Sequence, residues 1–274
     1  EYNLSANFGI AKNLIARIGG SLTDNQSYLV DNDMKRNNGN LNLNFSPSQK
    51  FNAAISSSVA QTNTALPGNP WDGGLGSAMG YALPIYPIYN DDGTFFRGGG
   101  NSGNPVMVNK LRDEINKEFR TINSINLNYA PTTKLSFNLN GALDYMDFKN
   151  VGLEQAAMRS SGKDYRWENN REVYNWNYTV VANYDFKLAN EDHDLKAMLG
   201  HELQESLTTG SNTNWDESRE DVESTEKLRD EHWRFISFFG RMNYLYKERY
   251  IAQATLRTDG SSRFGKNNKF GYFP

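Results

Sequence analysis

The sequence predicts an all-β fold, an antiparallel up-and-down transmembrane β-barrel of which about ten strands are present. Three observations lead there. Apolar residues alternate with polar ones in window after window, as in Asn40-Leu41-Asn42-Leu43-Asn44-Phe45 and Tyr174-Asn175-Trp176-Asn177-Tyr178. A period of two puts one set of side chains on each face of a strand, whereas a helix needs recurrence at i, i+3 and i+4. The connections between windows alternate short and long. Finally, Tyr, Phe, Val, Ile and Thr crowd the alternating windows, where β-branched and aromatic residues fit a pleated surface.

Taken in order, the periodicity places strands at Tyr2–Gly9, Leu14–Leu22, Met34–Ser46, Lys50–Thr62 and Asp113–Ala130. Five more follow at Lys134–Phe148, Glu172–Phe186, Leu195–Thr208, His232–Tyr246 and Tyr250–Gly260. A further strand begins at Gly271-Tyr272-Phe273-Pro274. The short connections are Ile10–Asn13, Pro47–Gln49, Pro131–Thr133, Lys187–Asp194 and Lys247–Arg249. The long ones are Thr23–Asp33, Asn63–Arg112, Lys149–Arg171, Thr209–Glu231 and Ser261–Phe270. Antiparallel neighbours put every second connection at the same end, so tight turns gather at one end and long loops at the other. Outer-membrane barrels have this asymmetry.

The two faces differ in chemistry. Over Leu135–Tyr145 one parity reads Leu135, Phe137, Leu139, Gly141, Leu143, Tyr145, and the other reads Ser136, Asn138, Asn140, Ala142, Asp144. The polar set is costly to bury dry, and a water-filled lumen would solvate it. Aromatics gather beside the short turns, at Phe45, Phe51, Tyr129, Tyr184, Phe186, Tyr244, Tyr246 and Tyr250, as in an interfacial girdle. A soluble β-sandwich is the competing reading. Its strands usually recur every 8–12 residues or so, and several strands here are longer.

Composition narrows the function. Apolar residues make up 38% and aromatics 13% of the 274 residues, too aromatic for a disordered chain and too polar for one large apolar core. No apolar run is long enough for a transmembrane helix. The net charge of -3 gives no reason to expect a nucleic-acid partner. Without cysteine there is no disulfide, thiolate metal site or cysteine nucleophile. The first residues lack the basic and apolar regions of a signal peptide, so a leader has been removed or the chain starts inside a larger protein.

The C-terminal third carries a family pattern. Phe239-Gly240-Arg241-Met242-Asn243-Tyr244 is followed by Tyr250-Ile251-Ala252-Gln253-Ala254. Then come Leu256-Arg257-Thr258-Asp259-Gly260-Ser261-Ser262-Arg263-Phe264-Gly265 and Gly271-Tyr272-Phe273-Pro274. This resembles the barrel signature of SusC/RagA-type TonB-dependent outer-membrane transporters. Ala82-Leu83-Pro84-Ile85-Tyr86-Pro87 and Asp92-Gly93-Thr94-Phe95 resemble that family's large loop. The resemblance implies residence in the outer membrane of a Gram-negative bacterium and active import of oligosaccharides or oligopeptides. It also implies a SusD-like lipoprotein lid and contact with the TonB complex through an N-terminal region. Nothing in residues 1–274 resembles the family's plug domain or TonB box, and the chain stops as a strand begins. The expectation is therefore a central piece of a larger barrel, with plug and C-terminal strands absent. The alternative function is a non-transporting outer-membrane barrel, adhesin-like or a truncated product.

Motifs for chemistry are weak, and an enzyme is not expected. His201-Glu202-Leu203-Gln204-Glu205 starts like a zincin motif but has Glu205 where the second His belongs. Gly98-Gly99-Gly100-Asn101-Ser102-Gly103 has dinucleotide-loop spacing, yet Pro105 follows with no helical period, which favours a loop. Asn90-Asp91-Asp92-Gly93 reads as a turn, with only a weak case for calcium. No cofactor or resident metal is expected. Trp71, Tyr81, Tyr86 and Tyr89 in the longest loop, with Trp167 and Trp215 in two others, are candidate contacts for substrate or lid; packing among loops is the competing role. Arg241, Arg257, Asp259 and Arg263 are the candidate lumen-facing charge network that braces the wall or meets a plug.

Overall fold

The computed structural model describes residues 1–28, 32–66, 79–98, 104–188, 192–265 and 268–274. Among these, twelve strands form one antiparallel sheet. They are β1 (Tyr2–Ala11), β2 (Leu14–Asn25), β3 (Met34–Ser48), β4 (Phe51–Ala65), β5 (Arg112–Tyr129), β6 (Leu135–Glu154), β7 (Tyr165–Lys187), β8 (His193–Asp216), β9 (Glu223–Lys227), β10 (Glu231–Tyr246), β11 (Tyr250–Ser261) and β12 (Phe270–Phe273). Each strand pairs with its sequence neighbour, except that β9 folds back on the end of β8 and leaves β10 to pair with β8. A seven-residue helix, α1 (Pro105–Leu111), leads into β5, and a 3-10 turn spans Ala156–Met158.

The expected strands are all present, but three run much further than their periodicity suggested. β6 continues to Glu154, β7 starts at Tyr165, and β8 reaches Asp216. The predicted loops 149–171 and 209–231 are therefore largely strand, and β9 is a strand where a loop was expected. In these extensions both faces meet water, so alternation is brief, as in Asn150-Val151-Gly152-Leu153-Glu154, or missing, as in Arg166-Trp167-Glu168-Asn169-Asn170. The helix at Pro105 corrects the expectation that no helix follows the glycine run; Gly99–Gly103 lie outside the described residues. The helix holds one buried pair, Met107 and Val108, which is too short a stretch to show a period.

The register tilts the strands. One hydrogen-bonded row runs through Phe137, Ala182, Leu199, Gly240 and Leu256. The short turn before β6 lies two residues below this row, and the turn after β10 lies six residues below it. This stagger is the shear that a closed or closing barrel requires.

The faces are unequal. Nearly all large apolar side chains left exposed share one face, among them Ile18, Phe45, Leu143, Leu199, Met242 and Leu256. Leu199 is 70% exposed at mid-strand. Leaving such surface in water costs about 25 cal/mol per Å², so this face belongs against lipid. Ile15, Ile122, Ile251 and Phe273 depart from the rule and point to the opposite, polar face. Two rows of rings bound the apolar face. Beside the short turns, Phe51 meets Tyr129 and Tyr184 meets Phe186. Toward the long loops, Phe119, Tyr145 and Tyr174 form a second row. Tyr129 and Phe119 are ten residues apart on β5, as are Tyr184 and Tyr174 on β7. At about 3.3 Å per residue and a tilt of about 40°, ten residues rise about 25 Å, the height of an outer-membrane apolar band.

Candidate functional site: the polar wall and its crown

The polar face is held open by glycines that accept rings from the neighbouring strand. A Cβ on Gly200 would lie 2.1 Å from the Phe239 ring, and one on Gly152 would lie 1.9 Å from Trp167. Both rings therefore lie flat across the adjacent strand and keep the lumen side smooth.

Midway along the wall, Arg257 on β11 organises an ionic cluster. Its Nε donates to Asp259 at 2.7 Å, and its terminal nitrogen donates to Glu202 at 3.3 Å and to the Ser237 hydroxyl at 3.0 Å. Its guanidinium lies 5.4 Å from the centre of the Phe239 ring. Of the four predicted charges, the structure brings together Arg257 and Asp259. Arg241 lies on the same face, exposed, and outside this cluster. Arg263 sits in the turn after β11, over the Trp233 ring at 5.3 Å. Glu202 and Ser237 were missed because they are far apart in sequence and only the β8–β10–β11 register aligns them. A second pair, Arg120 and Asp144, bridges β5 and β6 on the same face at 2.9 and 2.7 Å.

Beyond the outer girdle the wall rises into an ordered crown. Asn150 fills all its hydrogen-bonding positions there. It donates to Glu114 at 2.8 Å and Asn116 at 2.9 Å, and accepts from Trp167 Nε1 at 2.8 Å and Asn169 at 3.2 Å. Arg112 pairs with Glu114 and Glu154 and lies 5.2 Å from the Trp167 ring. Tyr165 stacks on Trp167 at 5.8 Å, and Arg159 covers Tyr165 at 4.8 Å. The ladder Arg159–Tyr165–Trp167–Arg112 thus ties the loop after β6 to the strand that carries α1. Arg159 is bonded to Asp216 through both oxygens. That guanidinium, helped by the Ser218 hydroxyl and N–H, holds the Asp216 carboxyl well below the usual carboxylate range.

The long loop is anchored on the same base. Buried Asn104 accepts the Met107 N–H at α1 and donates to the carbonyls of Ile88 and Phe96 at 2.8 and 2.9 Å. Met107, Val108 and Met158 form a small core flanked by Phe95 and Leu111. Asn90–Gly93 is a turn: Gly93 has φ +82°, and Asp92 accepts from the Thr94 N–H and hydroxyl.

The aromatic candidates divide. Trp71 lies outside the described residues. Tyr81 is 57% exposed, Tyr86 packs on Phe96, and Tyr89 packs on Phe95. Trp167 and Trp215 are not in loops, as was expected, but in β7 and β8. Trp167 faces the lumen side but is only 9% exposed, its ring taken up by Gly152 and the ladder. Trp215 sits on the opposite face, outside the barrel curve, in a cavity of about 220 Å³ with Ile115, Val151, Leu153 and Arg166. The sequence showed that both were aromatic, but their parity could be read only once the strand extensions were known.

No family model matches the chain. It is 25% identical over 317 aligned positions to the TonB-dependent receptor SusC of Bacteroides thetaiotaomicron, covering all of this chain and 30% of that protein. It is 26% identical over 226 positions to the TonB-dependent receptor P26 of Formosa agariphila, covering 73% of this chain and 22% of that protein. The fold is similar to the RagAB peptide transporter, with TM-score 0.77 and 19% identity over 98% of this chain and 32% of that one. It is also similar, more distantly, to the siderophore receptor PiuA of Acinetobacter baumannii, with TM-score 0.55 and 13% identity over 98% of this chain and 42% of that one. The chain thus spans under a third of the length of the curated relatives it matches. Sequence likeness, lipid-facing band and fold agree on the wall of an outer-membrane β-barrel that is similar to SusC in sequence and to RagAB in fold.

Proposed function

We propose that this chain forms part of the wall and outer loops of a TonB-driven importer that takes up oligosaccharides or oligopeptides. The observation that carries the reading is the polar face. From β5 to β8 it presents amide after amide, including Asn126, Asn138, Asn140, Asn150 and Asn177, with its charges paired to one another as in Arg120–Asp144. An amide both donates and accepts, which suits the hydroxyls of a glycan and the backbone of a peptide alike. Balanced charge disfavours retention of a strongly ionic cargo. In this reading Arg257, Asp259 and Glu202 brace the wall where a plug would meet it.

The crown supports a lid. Tyr81, Leu83, Ile85, Ile88 and Tyr89 remain exposed on a loop that Asn104 and the Met107 cluster hold in place. Rigid, exposed apolar residues at a rim mark a protein contact, and a SusD-like lipoprotein is the partner we assign to them. Tyr81→Asp with Ile85→Asp in the full-length protein should leave barrel assembly intact and sharply reduce lid co-purification and uptake of labelled oligosaccharide or peptide. Unchanged uptake of both cargoes with unchanged lid binding would contradict the reading and favour a non-transporting barrel.

A further inference from the structure

One hydrogen-bonded row on the apolar-side face, just beyond the outer aromatic girdle, gathers lysines. It runs Lys35 on β3, Asn63 on β4, Lys117 on β5, Lys149 on β6 and Asn170 on β7. Lys117 and Lys149 are directly opposed partners. Like charges placed directly opposite destabilise a sheet. Among the described residues no ion pair joins either lysine to a carboxylate. Carboxylates stand nearby on this face without forming an ion pair with either lysine. Glu168 accepts from Asn170 at 2.8 Å, and Glu172 accepts from Tyr174 at 3.4 Å. Asp147 sits two residues toward the membrane from Lys149, and Asp24 lies opposite Lys35.

Height fixes what meets these lysines. Lys117 is two residues beyond Phe119 on β5, and Lys149 is four beyond Tyr145 on β6. Girdle rings sit at the headgroup boundary. The ammonium groups therefore stand a few ångströms above the apolar band, on the outside of the wall and at the long-loop end. We infer that Lys117 and Lys149, with Lys35 beside them, seat the phosphate of a lipid headgroup in the outer leaflet. A bound phosphate relieves the lysine–lysine repulsion that no ion pair in the wall offsets. A basic residue near an anionic membrane surface contributes about 1 kcal/mol, so the pair can select a phosphorylated lipid from its neutral counterpart.

The test uses the full-length protein purified in neutral detergent, with lipid A as probe, either carrying its phosphates or dephosphorylated. Native mass spectrometry reads retained lipid. The wild type should retain the phosphorylated form and lose the dephosphorylated one. Lys117→Gln with Lys149→Gln should retain roughly thirtyfold less, from two such contributions, while Lys163→Gln in the loop after β6 should retain as much as wild type. In detergent without lipid A the double variant should melt no lower than wild type, since it removes a repulsion. Equal retention by the double variant, no dependence on phosphate in the wild type, or a lower melting point without lipid would each overturn the assignment.

Discussion

The band between the two aromatic girdles and the crown above it are built from the same strands but obey different rules. In the band one face meets lipid and the other meets water, so each residue's parity decides its chemistry. Leu139 and Asn138, neighbours in β6, lie on opposite faces. In the crown both faces meet water, and parity decides little. There the fold is held by particular bonds: the four of Asn150, the two of Arg159 to Asp216, and the cap by Asn104. The comparison teaches that a continuous strand can pass from a solvent-enforced design to a contact-enforced one without a break in its hydrogen bonding.

The largest expected effect tests the band. Leu139→Arg and Leu199→Arg should each cost about 2–4 kcal/mol of stability, the cost of a basic residue near the bilayer midplane. Asn138→Arg, one residue away, should cost far less. Unfolding titrations of the full-length protein in bilayers measure all three. Equal costs at both parities would break the comparison at its root.

Next comes the close packing of the polar face. Gly200→Val should cost about 1–3 kcal/mol, as overpacking does, because the Phe239 ring occupies the space of its side chain. Adding Phe239→Ala should recover part of that loss. A double variant less stable than the sum of the single ones would show that the ring is not what the glycine accommodates.

The crown should respond to pH. Asp216 has its carboxyl held low by Arg159 and then Ser218. A depressed folded value stabilises above the unfolded value of about 4 and is lost as pH falls through the folded one. Limited proteolysis within 155–164 should therefore speed up in acid. Asp216→Asn should be cut faster at neutral pH and should show little further change in acid. Protection that stays level with pH in the wild type would remove Arg159–Asp216 as the tie. The smallest effect is expected at the exposed rim, where Tyr81→Asp should change stability by no more than about 0.5 kcal/mol, whatever it does to partner binding.

This division also explains what could be read from the sequence. The band strands were legible because lipid on one side and water on the other impose the alternation in Leu135–Tyr145 and Tyr174–Phe186. The crown extensions of β6, β7 and β8 were not, since runs such as Arg166-Trp167-Glu168-Asn169-Asn170 face water on both sides. The same blindness misplaced Trp167 and Trp215 in loops. Arg257 and Asp259 were legible as a pair through strand spacing, whereas Glu202 and Ser237 joined them only through cross-strand register. The ladder from Arg159 to Arg112 links residues 47 positions apart and leaves no local signature.

The central claim is that a single parity faces lipid between the girdles. The chain has no cysteine, so single cysteines can be placed one at a time along β7 from 174 to 184 in the full-length protein and spin-labelled in bilayers. Accessibility to membrane-dissolved oxygen and to a water-soluble nickel complex should alternate in opposite phase. Positions 176, 178, 180 and 182 should be open to oxygen, and 175, 177, 179 and 181 open to nickel. Alternation of inverted phase, or none at all, would contradict the account.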